Sequence, residues 1–328
     1  HCMPKQIING RFLNQRITGV QRYAIGIANH LKRADISRPS SQRFISQVIW
    51  EQTTLPNQLK KKGSPLLLNF CNTAPIHYRN QIVTIHDLAV FENPKWFSQS
   101  FAAYYKFLLP RIARNAKHIV TVSEFSKNEI QKHLRVSQDK ISVIPPGIDD
   151  DLVTKPAMKP AGIHSKFILM VGSHDPRKNF GFAIEHAHHI INAMDLNLVH
   201  VGRQSHVFSS SEKNTNASTI QLTDTTDQEL KWLYENAEAL IQPSIYEGFS
   251  LVPMEARSSG CPALVSDIPV HREVLGDDVK YFELHNPGSF KSSLENILSV
   301  KKPLTKAKWN YDFKASAEKW KDLIARFE

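Results

Sequence analysis

Short apolar runs, each stopped by a glycine, a proline or a polar pair and followed by a helix-length stretch, recur along the whole chain. In the first half they are Ile7 to Asn9, Gln47 to Trp50, Leu66 to Phe70, Ile82 to Ile85, Ile119 to Val122 and Ile141 to Ile144. In the second half they are Phe167 to Val171, Leu196 to Val201, Thr219 to Leu222, Ala239 to Gln242 and Ala263 to Ser266. Runs this short and this apolar fit strands covered on both faces, and their alternation with helices is the rhythm of a parallel sheet. The expected fold class is α/β, with two doubly wound sheets in series and no sequence repeat linking them.

The helical stretches carry their own signals. Gly19-Val20 opens a helix to about Lys32 with Val20, Ala24, Ile27 and Leu31 on one face. Trp96 to Lys117 reads as a long aromatic helix with a kink at Pro110, and Ser123 is placed to cap the helix that follows it. Further helices are expected to about Ala193, over Asp227 to Ala237, up to Gly260 and over Trp309 to Phe327.

A chain of 328 residues is long enough for two cores, and 41% hydrophobic with 22% charged residues is the composition of a soluble globular protein. Three cysteines without paired spacing speak against a disulfide framework or a zinc site and for a reducing compartment. With no apolar run of bilayer length and no signal-peptide pattern, the expected location is the cytoplasm. The net charge of +10 is uneven: residues 1–160 hold 23 Lys and Arg against 10 Asp and Glu, the remainder 18 against 21. No basic and aromatic module for nucleic acid is present, so no nucleic-acid partner is expected. The basic first half, with Lys60-Lys61-Lys62, suits an anionic membrane surface or a lipid-pyrophosphate acceptor.

Chemistry concentrates between Gln242 and Val274. An apolar strand breaks at Pro243, a loop Glu247-Gly248-Phe249-Ser250 follows, and a helical segment carries Leu251 and Glu255. A glycine and a hydroxyl at a helix start leave backbone N–H groups for a phosphate, and a carboxylate one or two turns on suits sugar hydroxyls. Two further strand ends carry polar groups: His86-Asp87 after Ile82 to Ile85, and Gly172 to Asn179 with adjacent Arg177 and Lys178, which suit a diphosphate.

The run E-G-F-S-L-V-P-M-E, set within P-S-I-Y-E-G-F-S-L-V-P-M-E-A and followed by G-C-P-A-L-V-S-D-I-P, resembles the signature of retaining glycosyltransferases of family four. That resemblance implies the GT-B fold: two Rossmann-like doubly wound domains facing a central cleft. The domains would be residues 1–160 for the acceptor, 161–305 for the nucleotide sugar, and a last segment, 306–328, crossing back to the first. It implies a retaining hexosyltransferase that takes a nucleotide-diphosphate sugar, with no cofactor and no catalytic metal. Glu247 would hold the sugar, Glu255 the ribose, Lys178 and Arg177 the diphosphate, and His86 the transferred sugar. Gly19, Ser173, Gly248, Phe249, Ser250 and Leu251 would complete the donor site. Many members have arginine where this chain has Ser173, so Arg177 or Arg203 would supply that charge. Asp149-Asp150-Asp151, at the expected crossover, reads as a turn and not as a metal motif. I-N-G-R-F-L with I-T-G-V-Q-R-Y-A is similar to bacterial surface-polysaccharide enzymes that transfer mannose or rhamnose, which implies a glycan or lipid-linked glycan acceptor. An epimerase of the same fold and a non-catalytic sugar-binding module are the competing readings; donor incubated without acceptor separates the first.

Overall fold

The computed structural model describes residues 5–31, 34–148, 152, 154–202, 219–300 and 305–327. Arg203 and Asp149 to Asp151 lie outside these residues. The chain forms two compact units: His1–Glu92, Ala102–Asp149 and Tyr311–Glu328 in the first, Asn93–Phe101 and Asp150–Asn310 in the second.

The first unit is built on six parallel strands: β1 (Gln6–Asn9), β2 (Asp35–Ser37), β3 (Leu66–Asn69), β4 (Gln81–Thr84), β5 (His118–Thr121) and β6 (Ile141–Val143). Their order is β2-β1-β3-β4-β5-β6. The helices are α1 (Gly19–His30), α2 (Phe44–Ile49), α3 (Leu55–Lys61), α4 (Ala89–Glu92), α5 (Gln99–Asn115) and α6 (Glu124–Leu134). Strands β3, β4 and β5 are buried throughout, as their unbroken apolar runs require. Ser123 caps α6, its Oγ accepting from the Ser126 N–H at 3.0 Å. The helix Phe313–Ala325 also belongs to this unit; Trp320 is fully buried, stacks edge-on to Phe70 and donates to the Tyr23 hydroxyl at 2.8 Å.

The strand expected over Gln47 to Trp50 is helix instead. Helix α2 runs through a π-helical segment, Trp50–Thr54, into α3. Gln47, Glu51, Leu55 and Leu59 are all buried, a four-residue spacing that lays one continuous helical stripe against the sheet. The expected helix from Trp96 begins later, at Gln99, after a 3-10 turn over Pro94–Trp96 and extended backbone at Phe97.

The second unit has β7 (Phe167–Val171), β8 (Asn197–Val201), β9 (Thr219–Leu222), β10 (Ala239–Gln242), β11 (Ala263–Ser266) and β12 (Lys280–Phe282) in the order β12-β11-β10-β7-β8-β9, all parallel. Counted from the start of the unit this is 6-5-4-1-2-3, the order of a dinucleotide-binding sheet. Helices α7 (Phe180–Ala193), α8 (Asp227–Asn236), α9 (Leu251–Ser258), α10 (Pro269–Leu275) and α11 (Pro287–Leu298) accompany it. Ile168, Met170, Ile241 and Leu264 of the sheet pack with Phe180, Ala187, Phe290 and Leu294. In such a sheet ligands collect at the carboxyl ends of the strands where the order reverses, which here lies between β7 and β10.

Candidate active site

Two loops frame that reversal: Gly172 to Asn179 after β7 and Pro243 to Ser250 after β10. They are tied by the Ile245 N–H, which donates to the Arg177 carbonyl at 2.7 Å. Behind them, Gly172 and Gly202 have φ of +147° and +157°, and a Cβ on Gly202 would lie 1.8 Å from the Gly172 carbonyl oxygen. The β7 loop therefore leaves its sheet where only glycine fits.

Lys178 and Glu247 meet here: Nζ donates to Glu247 Oε1 at 2.6 Å, with the two side chains 17% and 15% exposed. The same oxygen accepts from Gln242 Nε2 at 2.9 Å and Ser244 Oγ at 2.7 Å. Burial pushes the Glu247 carboxyl up, but the Lys178 ammonium, its hydrogen bond and that of Ser244 outweigh it and hold the group at about 2. With Oε1 saturated by three donors, Oε2 is the oxygen left to accept from a ligand.

Arg177 is committed locally. Its Nε and Nη2 both donate to Asp175 Oδ2, at 2.8 and 2.5 Å, and its guanidinium lies 5.5 Å from the Phe97 ring centre. Asp175, 3% exposed, is a partner that the sequence reading did not name. It pairs with Arg177 within one turn, as Glu247 pairs with Lys178 across the two loops, so each cation has its own carboxylate. Ser173 contributes its carbonyl, which accepts from the Asp175 N–H at 2.8 Å.

At the start of α9, Ser250 has φ +130° and a buried hydroxyl that caps nothing. Pro253 removes one of the N–H groups expected at this helix start. Phe249 is buried, and Glu255 lies in the next turn, 4% exposed and accepting from the Tyr234 hydroxyl at 2.8 Å. A solvated helix glutamate would not be so placed. His271, fully buried on α10, donates from Nδ1 to the Ser266 carbonyl at 2.7 Å and leaves Nε2 without a partner. Asn179 Nδ2, Gln242 Oε1, Ser250 Oγ and His271 Nε2 are four of the ten buried polar side-chain atoms without a hydrogen bond among the described residues. Asn179 and Ser250 sit on the two loops, Gln242 ends β10 and His271 lies on α10. Native interiors hold few such atoms, and a polar ligand would satisfy them.

His86 and Gly19 lie in the first unit. His86, at the end of β4, is 7% exposed and donates from Nε2 to the Phe70 carbonyl at 2.7 Å, so its ring is held in that tautomer. Burial is the largest influence on its pKa and lowers it. Gly19 opens α1 with nothing within 4 Å of an added Cβ. One group that could hold a cation, Glu92, Glu129 and His133, is found among the described residues, on α4 and α6 of the first unit.

Two family models match successive parts of the chain, one described as glycosyltransferase family 4 over residues 39–152, the other as glycosyl transferases group 1 over residues 157–312. The chain belongs to the family 4 glycosyltransferases. An O-antigen chain mannosyltransferase of Salmonella typhimurium is 33% identical over 73% of this chain, and a second of Escherichia coli is 27% identical over 62%. The chain spans 66% and 57% of the length of these two relatives. Among solved structures, a sucrose-phosphate synthase of Thermosynechococcus elongatus superposes with a TM-score of 0.71, 14% identity and 98% of each chain covered. A glycosyltransferase involved in lipopolysaccharide biosynthesis gives 0.67, 16% identity, and 96% and 94% coverage. The fold of this family member is therefore GT-B, and the Lys178 and Glu247 loops lie inside the group 1 match.

Proposed function

We propose that this family 4 glycosyltransferase is a retaining, metal-independent hexosyltransferase. It moves mannose from a nucleotide-diphosphate sugar to a glycan or lipid-linked glycan in surface-polysaccharide synthesis. The observation that carries the reading is the Lys178–Glu247 pair at the reversal of the second sheet. Leaving of the diphosphate builds negative charge on its oxygens. Lys178 stands beside that position, and Glu247 Oε2 and Glu255 supply acceptors for sugar and ribose hydroxyls. Arg177 assists through the field it shares with Asp175. The parts of His86 and Gly19 rest on the resemblance alone. Mannose is taken from the names of relatives, two of them O-antigen chain mannosyltransferases.

The first test is a thermal-shift panel of nucleoside diphosphates, since a ligand of the folded state raises the melting temperature. Transfer from the matching nucleotide sugar is then followed with and without a chelator, and the anomeric configuration of the product is read by NMR. Retained configuration with transfer unaffected by chelator is expected. Inversion, or a strict need for a divalent ion, overturns the mechanism. Conversion of donor without acceptor would mean an epimerase instead. For the membrane partner, neutralising the exposed Lys60, Lys61 and Lys62 should weaken binding to anionic liposomes at low salt; unchanged binding removes their role.

A further inference from the structure

Near the carboxyl ends of α4 and α6, the first unit brings three metal-ligating side chains together. Glu92 is the last residue of α4, and Glu129 and His133 stand one turn apart on α6. One ligand atom from each lies within 4.8 Å of the other two. His133 Nε2 is 3.2 Å from Glu129 Oε2. Two ligands each about 2.0 Å from a tetrahedral ion stand roughly 3.3 Å apart, nearly the same spacing. The pair also has the i,i+4 separation that points two side chains of a helix at one spot. An ordinary helix ion pair would share that separation, but it would not account for Glu92.

The Glu92 carboxylate makes no hydrogen bond or ion pair among the described residues, and yet it is held close to a second carboxylate. Two such groups repel unless a cation lies with them. Lys132 Nζ approaches Glu129 Oε1 at 3.5 Å, but its side chain is 63% exposed, and pairs of that kind contribute little. The three positions are fixed from beneath. Leu88 and Ile130 are buried in one core cluster, with Phe91 and Leu134 packed against it. The Leu88 carbonyl accepts from the N–H groups of Phe91 and Glu92 at 2.8 and 3.1 Å, which ties down the end of α4. The Phe91 and His133 rings lie 5.7 Å apart, centre to centre, so the imidazole is restrained on that side. The last turn of α6 adds the negative end of its dipole, which favours a cation there. The ligands are thus held in place before an ion arrives. One imidazole with two carboxylates suits a first-row transition metal better than magnesium or calcium.

We propose that Glu92, Glu129 and His133 bind one divalent transition-metal ion of the zinc type, with water completing its shell on the exposed side. The ion joins α4 to α6 and stabilises the first unit. No cysteine takes part, so the cysteine spacing that spoke against a zinc site does not bear on this one. The site shares no residue with the Lys178 and Glu247 loops and is independent of the proposed function; its ion is structural, not catalytic.

The test is calorimetric titration of the chelator-stripped full chain with zinc chloride, with magnesium chloride as the contrast and the melting temperature read alongside. Zinc binds saturably and raises the melting temperature, while magnesium binds at least about a hundredfold more weakly. Glu92→Gln and His133→Asn change side chains that reach solvent, and each weakens zinc at least about tenfold. Lys132→Gln removes a like charge beside the ion and tightens binding by about two- to fivefold. His188→Asn, one of three histidines on α7 of the second unit, leaves it unchanged. Absence of saturable zinc binding overturns the proposal, and so does binding that is undiminished in Glu92→Gln or His133→Asn, or lost in His188→Asn. Weaker binding in Lys132→Gln, or magnesium matching zinc, overturns it as well.

Discussion

Lys178 and Glu247, 69 residues apart in sequence, form an ion pair of 2.6 Å in which lysine is one of three donors to a single carboxylate oxygen. The folded state therefore favours ionised Glu247, lowering its pKa from 4.5 to about 2. A depressed carboxylate contributes stability above its unfolded pKa and loses it as pH falls through the folded one. Between pH 6 and pH 3 the wild type should lose about 2 kcal/mol on this account. Glu247→Gln should lack that loss, as measured by urea unfolding at the two pH values.

Ser244 and Gln242 act on the same oxygen without occupying Oε2, and Ser244 Oγ also accepts from Gln242 Nε2 at 2.8 Å. Ser244→Ala should leave the Glu247 carboxylate free to turn and lower turnover by about tenfold, the worth of one charge-assisted hydrogen bond. The same buried bond supports the fold, so the melting temperature should fall as well, and Ser244→Thr should restore most of both. Full activity in Ser244→Ala would show that Lys178 and Gln242 suffice to orient the carboxylate.

His200 and His271 are buried, and burial first of all lowers each pKa from 6.5 to about 4, against the hydrogen bonds they give to the Gly172 and Ser266 carbonyls. Unfolded, both take up a proton near pH 6.5; folded, they resist it to about pH 4. The unfolded chain thus binds more protons in this window and stability must fall as pH drops through it. The effect is on the order of 1 to 3 kcal/mol per histidine at pH 4. Urea midpoints of the wild type should fall between pH 7 and pH 5, and His271→Gln should show a shallower fall.

The alternation of apolar runs and polar strand ends made five strands of each sheet legible, because strands covered on two faces must be apolar throughout, as Leu66 to Leu68 and Leu240 to Ile241 are. The edge strands Asp35–Ser37 and Lys280–Phe282 are partly exposed and were not read. The helix at Gln47 was hidden by the opposite circumstance. Two of the four residues in its buried stripe, Gln47 and Glu51, are polar, and Val48, Ile49 and Trp50 beside them look like a strand. A polar residue enters a core when it finds partners there, and Arg11, Asn9 and Thr73 are far from Glu51 in sequence. Asp175 escaped notice for a related reason. It caps its own turn, accepting from the Arg177 N–H at 2.9 Å, and only the fold shows its other oxygen taking the arginine side chain. Lys178 and Glu247 were singled out through the family resemblance, and the fold adds that the two loops bearing them bring the side chains into contact.

Trp320 provides a test confined to the first unit. Its ring is fully buried, meets Phe70 edge-on with centres 5.0 Å apart, and spends its N–H on Tyr23, whose own hydroxyl donates to the Ile144 carbonyl at 3.2 Å. Ser316 Oγ adds a bond to the Pro145 carbonyl at 2.7 Å, and an added Cβ on Gly147 would lie 2.2 Å from the Phe313 nitrogen, so the helix Phe313–Ala325 sits tightly on this unit. Trp320→Ala should cost about 3 to 5 kcal/mol, the range for emptying a buried aromatic site. Trp320→Phe should cost less, because it keeps the ring contact and loses one hydrogen bond. Hydrogen exchange should show amides of β1, β3 and α1 losing protection in Trp320→Ala while those of β7, β10 and β11 keep it. Equal loss in both sets would mean that the two units unfold as one, and the helix would then be holding more than the sheet it covers.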